Sequence, residues 1–246
     1  MNLLRNKTVS LGIVALTLMI AAIFLALRFG DMPQTIGRLL PLDLTQPQQI
    51  FRDWRIAALA HDKELCARVL TSPLVRWGPV DDKPVENGCG WNNAIRLEAA
   101  GNANLAADPI TCPMAAGLTL WLTHEVQPAA KRLLGHTVKS IKTLGSYSCR
   151  GINGNAYVNG LKKRGLPVPR SEHALANAID IAVFELDNGE SVSVLKEWHT
   201  SGAKADFLHE AHDGACRFFR VVLGPEANAA HQSHFHLDRG PWHACR

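Results

Sequence analysis

Asp180 sits in the middle of an apolar, β-branched run, Ala178-Ile179-Asp180-Ile181-Ala182-Val183-Phe184. The run predicts a strand, and a period of two puts Ala178, Asp180 and Ala182 on one face and Ile179, Ile181 and Val183 on the other. A carboxylate set among small residues on such a strand is costly to bury unless it is paired or bound to a cation. Any fold of this chain has to satisfy that demand, and two nearby stretches offer the means. His173 precedes Asp180 with six residues between them, and His234-Phe235-His236 follows later in the chain. If the second stretch is also a strand, both of its imidazoles point the same way. Three His and one Asp can supply the ligand set of a catalytic zinc, three of them as protein ligands with the fourth position left for water. Taken singly, each of these residues is more ordinarily a hydrogen-bonded structural residue; the case for a metal rests on their combination.

Charge and cysteine usage narrow the setting. The formal net charge is +4, but Arg5, Lys7 and Arg28 lie in a first thirty residues without any acid, leaving 23 basic against 22 acidic side chains elsewhere. That balance gives no electrostatic footprint for nucleic acid. The six cysteines, Cys66, Cys89, Cys112, Cys149, Cys216 and Cys245, form no Cys-x-x-Cys pair, which argues against a zinc ribbon. An even, dispersed set behind an export-type N-terminus reads as three disulfides. Sequential pairing closes the shortest loops and predicts Cys66–Cys89, Cys112–Cys149 and Cys216–Cys245.

Thr8 to Leu27 carries no charge and is long enough to span a bilayer, with Arg5 and Lys7 on its cytoplasmic side. The exit Ala26-Leu27-Arg28-Phe29-Gly30 lacks the small-x-small site of a cleaved signal. Residues 1–30 are therefore expected to be a signal anchor, a single transmembrane helix of the bacterial inner membrane, with the folded part in the periplasm. Residues 31–48, with Pro33, Pro41 and Pro47, are expected to be a linker, and 49–246 one domain.

Within that domain, helical spacing runs from Gln48 to Leu70 and is split near His61-Asp62. Residues 72–90 are turn-rich, 91–97 suggest a strand and 102–109 a loop. Cys112-Pro113 opens the strongest helix, which Pro128 kinks and Gly135 closes. A strand is expected over 136–147, a short helix within 156–170, and a hairpin from the Asp180 strand through Asp187-Asn188-Gly189 to 191–195. A helix followed by a strand is expected over 205–219 and a further strand over 218–223. Helices that precede mostly hairpin-connected strands predict an α+β domain: N-terminal helices on a mostly antiparallel sheet that carries the zinc site, preceded by one transmembrane helix. His61, His124, His209 and His212 read as surface or core residues.

Ser171-Glu172-His173-x(6)-Asp180 followed by His234-Phe235-His236 resembles the zinc peptidases of the D-alanyl-D-alanine carboxypeptidase, lysostaphin and murein endopeptidase group. The wider pattern is similar to the bacterial extensin-like C-terminal domain family. It is carried by Gly145-Ser146-Tyr147-Ser148-Cys149-Arg150, by SEHALANAIDI, and by His234-Phe235-His236-Leu237-Asp238, across roughly residues 60 to 246. Ala176 stands where the peptidase pattern usually has Gly. The resemblance implies His173, Asp180 and His236 as Zn2+ ligands and His234 as general base or oxyanion stabiliser, although the spacing also allows His234 and His236 to exchange roles. Related peptidases often use a Glu near this place, and neither Glu172 nor Glu226 holds that motif position. Arg150 would bind a substrate carboxylate or carbonyl, its alternative being a structural ion pair. His231 is a further candidate as hydrogen-bond donor or proton shuttle. Asp238 would hold a ligand histidine in its tautomer, with main-chain pairing as its other use. Ser171 would bond the backbone of the turn that presents His173.

Together, compartment and resemblance imply a zinc metallopeptidase of the cell envelope, cutting amide bonds in the stem peptides or crosslinks of peptidoglycan as endopeptidase or carboxypeptidase. The competing readings are a non-catalytic cell-wall binding domain and a structural envelope protein that keeps the fold.

Overall fold

The computed structural model describes residues 12–22, 32–152 and 156–246. Its helices are α1 (residues 12–22), α2 (Met32–Leu39), α3 (Arg52–Ala58), α4 (Lys63–Val69), α5 (Cys112–Trp121), α6 (Gln127–Leu134), α7 (Ala156–Lys163), α8 (Val194–Glu197) and α9 (Ala203–Ala215). Its strands are β1 (Val75–Pro79), β2 (Lys83–Glu86), β3 (Cys89–Trp91), β4 (Ala94–Ala100), β5 (Ala103–Thr111), β6 (Val138–Gly145), β7 (Ala178–Leu186), β8 (Ser191–Ser193), β9 (Val221–Leu223), β10 (Phe235–Asp238) and β11 (Ala244–Cys245).

The architecture is α+β around one nine-stranded sheet in the order β1-β4-β5-β6-β7-β10-β9-β11, with β8 on β7 and a separate β2–β3 pair. The sheet is mixed, which corrects the mostly antiparallel expectation: β5 pairs β6 in parallel, and β11 pairs β9 in parallel. The reason is the position of the long helix. A parallel pair needs a crossover of a dozen or more residues, and α5 and α6 supply it between β5 and β6. Sequence patterning had set the helices ahead of the strands.

The transmembrane expectation is corrected as well. Among the described residues no helix is long and apolar enough to cross a membrane. The described part of α1 is residues 12–22, whereas a span requires roughly 20 residues. The remainder of the expected span, residues 8–11 and 23–27, lies outside the described residues. The stretch expected as a linker contains α2, and beyond it Leu42 and Leu44 enter the hydrophobic core.

Two further stretches differ from expectation. Residues 102–109 form most of β5 rather than a loop, and the turn-rich 72–90 region carries β1, β2 and the start of β3. Ala103, Leu105 and Ala107 of β5 are buried while Asn104, Ala106 and Asp108 are exposed. This is the period-two signature of a strand, written in residues too small or too polar to stand out. The split near His61 is observed: Asp62 caps α4, its Oδ1 accepting the Leu65 backbone N–H at 2.9 Å. Pro128 marks the end of a π-helical segment, Leu122–Val126, that joins α5 to α6, and Gly135 closes α6 at φ 74°.

The core lies between the sheet and the α5–α6–α9 layer. Trp121 is fully buried and donates its Nε1–H to the Ala211 carbonyl at 2.8 Å, tying α5 to α9. Phe184 of β7 packs edge-on against Trp121 and Phe207 and meets Phe235 of β10 at 6.3 Å. In β7, Ile179 and Ile181 face the core as expected, but Phe184 rather than Val183 continues the buried series. Against β6, Lys142 pairs Val183 and Thr143 pairs Ile181, so Ala182 is an extra, bulged residue that switches the inward parity.

Three disulfides close the chain: Cys66–Cys112, Cys89–Cys149 and Cys216–Cys245. The last matches expectation; the pairings Cys66–Cys89 and Cys112–Cys149 are wrong. Loop length was the wrong guide, because the fold sets α4 beside the start of α5 and β3 beside the segment after β6.

Candidate functional site

Antiparallel pairing of β10 with β7 sets His236 directly opposite Asp180. His236 Nδ1 lies 2.9 Å from Asp180 Oδ1. His173 reaches the same point from a 3-10 turn, Glu172–Leu175, whose N-cap Ser171 accepts the His173 backbone N–H at 3.4 Å. The turn ends at Ala176 in the left-handed region, φ 53°, so Ala occupies a conformation that favours Gly. The turn is fixed to its surroundings by the Ser148 N–H on the His173 carbonyl and the Thr111 N–H on the Ala176 carbonyl. His173 Nε2 is 3.1 Å from both Asp180 Oδ1 and His236 Nδ1.

The outer nitrogens fix the tautomers. His173 Nδ1 faces the Ser146 carbonyl at 3.2 Å, an oxygen that can only accept, so Nδ1 carries the proton and Nε2 presents a lone pair. His236 Nε2 faces Asp238 Oδ2 at 3.0 Å, and Asp238 Oδ1 is itself held by the Gly240 N–H at 2.8 Å. Asp238 thus has the tautomer-holding position, and it also lies within the β10 ladder. His173 Nε2, Asp180 Oδ1 and His236 Nδ1 therefore form a triangle of acceptors with edges of 2.9 to 3.1 Å. Three lone pairs at such distances repel one another unless positive charge sits among them. Ligands bonded at about 2.0–2.2 Å to a small dication stand a little over 3 Å apart. The three side chains fit that chemistry in donor type and in spacing, and each outer partner is of the kind that orients a metal-bound imidazole. A second donor group, His212, Cys216 and Cys245, is not equivalent, because its two sulfurs are joined in a disulfide.

The electrostatics carry the same demand. Burial alone would raise the Asp180 carboxyl; with no cation among the three, protons on the inner nitrogens of His173 and His236 take its place, and their hydrogen bonds and charge hold the carboxyl far below the usual carboxylate range. Burial would lower His236, yet Asp180 and Asp238 push it up to about 9. The flanking histidines behave oppositely. Burial, with repulsion from His236 and His234, takes His231 down to about 4, and burial likewise lowers His234 against the attraction of Asp180. The protonated form is thus disfavoured at both imidazoles that border the site.

His234 stands just before β10, its Nε2 3.6 Å from Asp180 Oδ1 and its Nδ1 3.2 Å from Ser233 Oγ. It adjoins the triangle without belonging to it, which separates its position from that of His236. The His231 ring lies 5.3 Å from His234 and 5.7 Å from His236, with its Nδ1 on Asn228 Oδ1 at 2.9 Å. Arg150 is half-buried on a cavity of about 640 Å³ shared with Lys162 and Arg170. Its charge is among the causes that lower both His231 and His234. Among the described residues it forms no ion pair; its guanidinium donates only to the Gly151 carbonyl at 3.5 Å. Cys149 next to it is tied to β3 by a disulfide.

All eight expected site residues thus gather in one region, from the β7–β10 pair, the 3-10 turn and the end of the β6 segment. The Ser146 carbonyl, Asn228 and Gly240 were missed. A backbone carbonyl or N–H leaves no mark in a sequence. Asn228 could have been found, since it lies three residues before His231 as the cap of a short turn, with its Oδ1 on the Ala230 N–H.

Fold and site together define an α+β domain with a three-residue candidate metal centre formed by two adjacent strands of a mixed sheet and the 3-10 turn that precedes one of them. The chain belongs to the family described as Extensin-like protein C-terminus, whose profile matches residues 64–246. No curated protein and no solved structure matches the chain.

Proposed function

We propose that this protein is a zinc-dependent peptidase of the bacterial cell envelope that hydrolyses amide bonds in peptidoglycan stem peptides or crosslinks. The observation that carries the proposal is the convergence of His173 Nε2, Asp180 Oδ1 and His236 Nδ1 on one point, with His234 Nε2 at 3.6 Å from Asp180 Oδ1. The order of these residues in the chain resembles that of the D-alanyl-D-alanine carboxypeptidase and murein endopeptidase group, which supports the substrate class. Three disulfides support an oxidising compartment, the periplasm.

His173, Asp180 and His236 would hold the ion, which when bound supplies Lewis acidity to an amide carbonyl and to the attacking water. His234, kept neutral by burial, accepts a proton from that water and returns it to the leaving amine. His231 lies behind His234 and relays protons to solvent. Arg150, with no carboxylate partner among the described residues, takes a carboxylate of the stem peptide in a two-point contact. Asp238 and the Ser146 carbonyl hold the two ligand imidazoles in their tautomers.

The test is metal content by elemental mass spectrometry on the disulfide-intact protein, with His234→Ala and His236→Ala alongside. About one zinc per chain is expected in the parent and in His234→Ala, and little in His236→Ala, as for a three-ligand site with an open position. Purified sacculi should be digested by the parent and by neither variant. Failure to take up zinc, even when it is supplied, would overturn the hydrolase reading in favour of a wall-binding domain. Equal zinc loss in both variants would indicate a closed four-ligand structural site.

A further inference from the structure

A second cavity, of about 500 Å³, opens on the other side of the 3-10 turn that carries His173. Its lining includes two arginines, Arg220 and Arg239, and the polar residues Glu172, Asn177, Thr111 and His61. It shares no residue with the His173–Asp180–His236 cluster, with His231 and His234, or with Arg150.

The two arginines have an unmet requirement. Neither Arg220 nor Arg239 forms an ion pair among the described residues. Arg239 donates one guanidinium N–H to the Phe218 carbonyl, and Arg220 takes part only through its backbone, its N–H on the Asp238 carbonyl at 2.9 Å. Both side chains are half-buried. Burial lowers Arg239 to about 10; Arg220 and Arg52 repel it, and only Asp53 attracts it. Two neighbouring guanidiniums without a carboxylate between them, at the wall of a cavity of ligand size, form a receptor for an oxyanion. The same lining supplies acceptors. The Glu172 carboxyl accepts from Asn177 Nδ2 at 2.6 Å, and Asn177 Oδ1 takes the Thr111 hydroxyl at 3.1 Å.

We propose that this cavity binds a small organic anion, its oxyanion group held by Arg220 and Arg239 and a hydrogen-bond donor of the ligand directed at Glu172. The proposal does not rest on the metal centre and survives its failure. Isothermal titration of the whole protein uses two probes: inorganic phosphate, and N-acetylglycine, which joins a carboxylate to an amide N–H. Saturable binding of either probe at about one site per chain is expected. Arg220→Gln should weaken it at least tenfold, Arg220→Lys by only a few-fold, and Arg76→Gln, at an exposed arginine paired with Glu98 on the far edge of the sheet, not at all. Preference for phosphate or for N-acetylglycine identifies which oxyanion the site takes. If Arg220→Gln does not fold, the contrast between Arg220→Lys and Arg76→Gln decides: weakening by the first and not by the second supports the site. No binding of either probe up to tens of millimolar would overturn the proposal, as would binding lost in Arg150→Gln and kept in the Arg220 variants.

Discussion

The position of one methyl group shows how closely the turn around His173 is drawn. Ala176 is fully buried and sits at φ 53°, ψ 25°. For a residue with a Cβ that conformation costs roughly 1–2 kcal/mol. Changing it to Gly relieves the strain but frees the unfolded backbone, worth about 0.4–1 kcal/mol, and removes a buried methyl worth about 0.8 kcal/mol. The three effects nearly cancel, so Ala176→Gly is expected within about 1 kcal/mol of the parent in urea unfolding. Ala176→Val puts a β-branched side chain at positive φ in a filled site and is expected to cost more than about 2 kcal/mol. It should also weaken zinc uptake, because the same turn sets His173. A valine variant that unfolds with the parent would show that the turn is not held left-handed. The pattern of His173, Asp180, His234 and His236 was legible because side-chain chemistry is written one residue at a time. The Ser146 carbonyl that fixes the His173 tautomer was not, since every residue carries a carbonyl.

At the scale of elements, legibility followed the strength of local signals. Strand β7 and the β7–β8 hairpin were readable from β-branched alternation and the Asp187-Asn188-Gly189 turn, and α5 from Cys112-Pro113 and its apolar stripe. Strand β5 was not, because Asn104, Asp108 and Pro109 interrupt an alternation made mostly of alanine; pairing with β4 and β6 overrides the weak propensity. The split between α3 and α4 was readable because Asp62 is a strong cap. Its role is larger than capping: Oδ1 accepts the Leu65 N–H, and Oδ2 pairs with Arg38 of α2 at 2.7 Å. Asp62→Ala is expected to lower stability by about 1–2 kcal/mol, at the upper end of what loss of a cap costs. The effect depends on pH. The Leu65 N–H first, and then Arg38, hold the folded Asp62 carboxyl below its usual value. The unfolded state therefore binds the proton more readily, and the contribution is present above about pH 4 and lost as pH falls below it. Parent and variant should differ in urea midpoint at pH 7 and converge near pH 2–3; an unchanged difference at low pH would assign the loss to packing alone.

For the whole molecule, the order of elements was readable where the closing of the sheet was not. The crossover that makes β5 and β6 parallel depends on which edge the chain returns to, and that is decided by the shared core rather than by either strand. The disulfides follow the same logic. Cys216–Cys245 joins α9 to the terminal strand β11 at a separation of 29 residues, whereas Cys66–Cys112 and Cys89–Cys149 span 46 and 60. These two tie the helical α4–α5 region together and hold β3 against the segment that ends at Arg150, so they close longer loops than the third does. Each is worth about 2–4 kcal/mol through constraint of the unfolded chain. The three together reach about 6–12 kcal/mol, comparable to the whole stability of a domain, about 5–15 kcal/mol. The reduced chain is therefore expected to lose most of its folded population at 37 °C, while the oxidised chain stays folded. Circular dichroism melts with and without a thiol reductant, on protein whose three disulfides are first verified by mass spectrometry, measure this directly. A reduced protein that melts within a few degrees of the oxidised one would show a core that holds without its crosslinks. The disulfides would then be dispensable for folding, and the proposed periplasmic location would rest on their presence and not on any need for them.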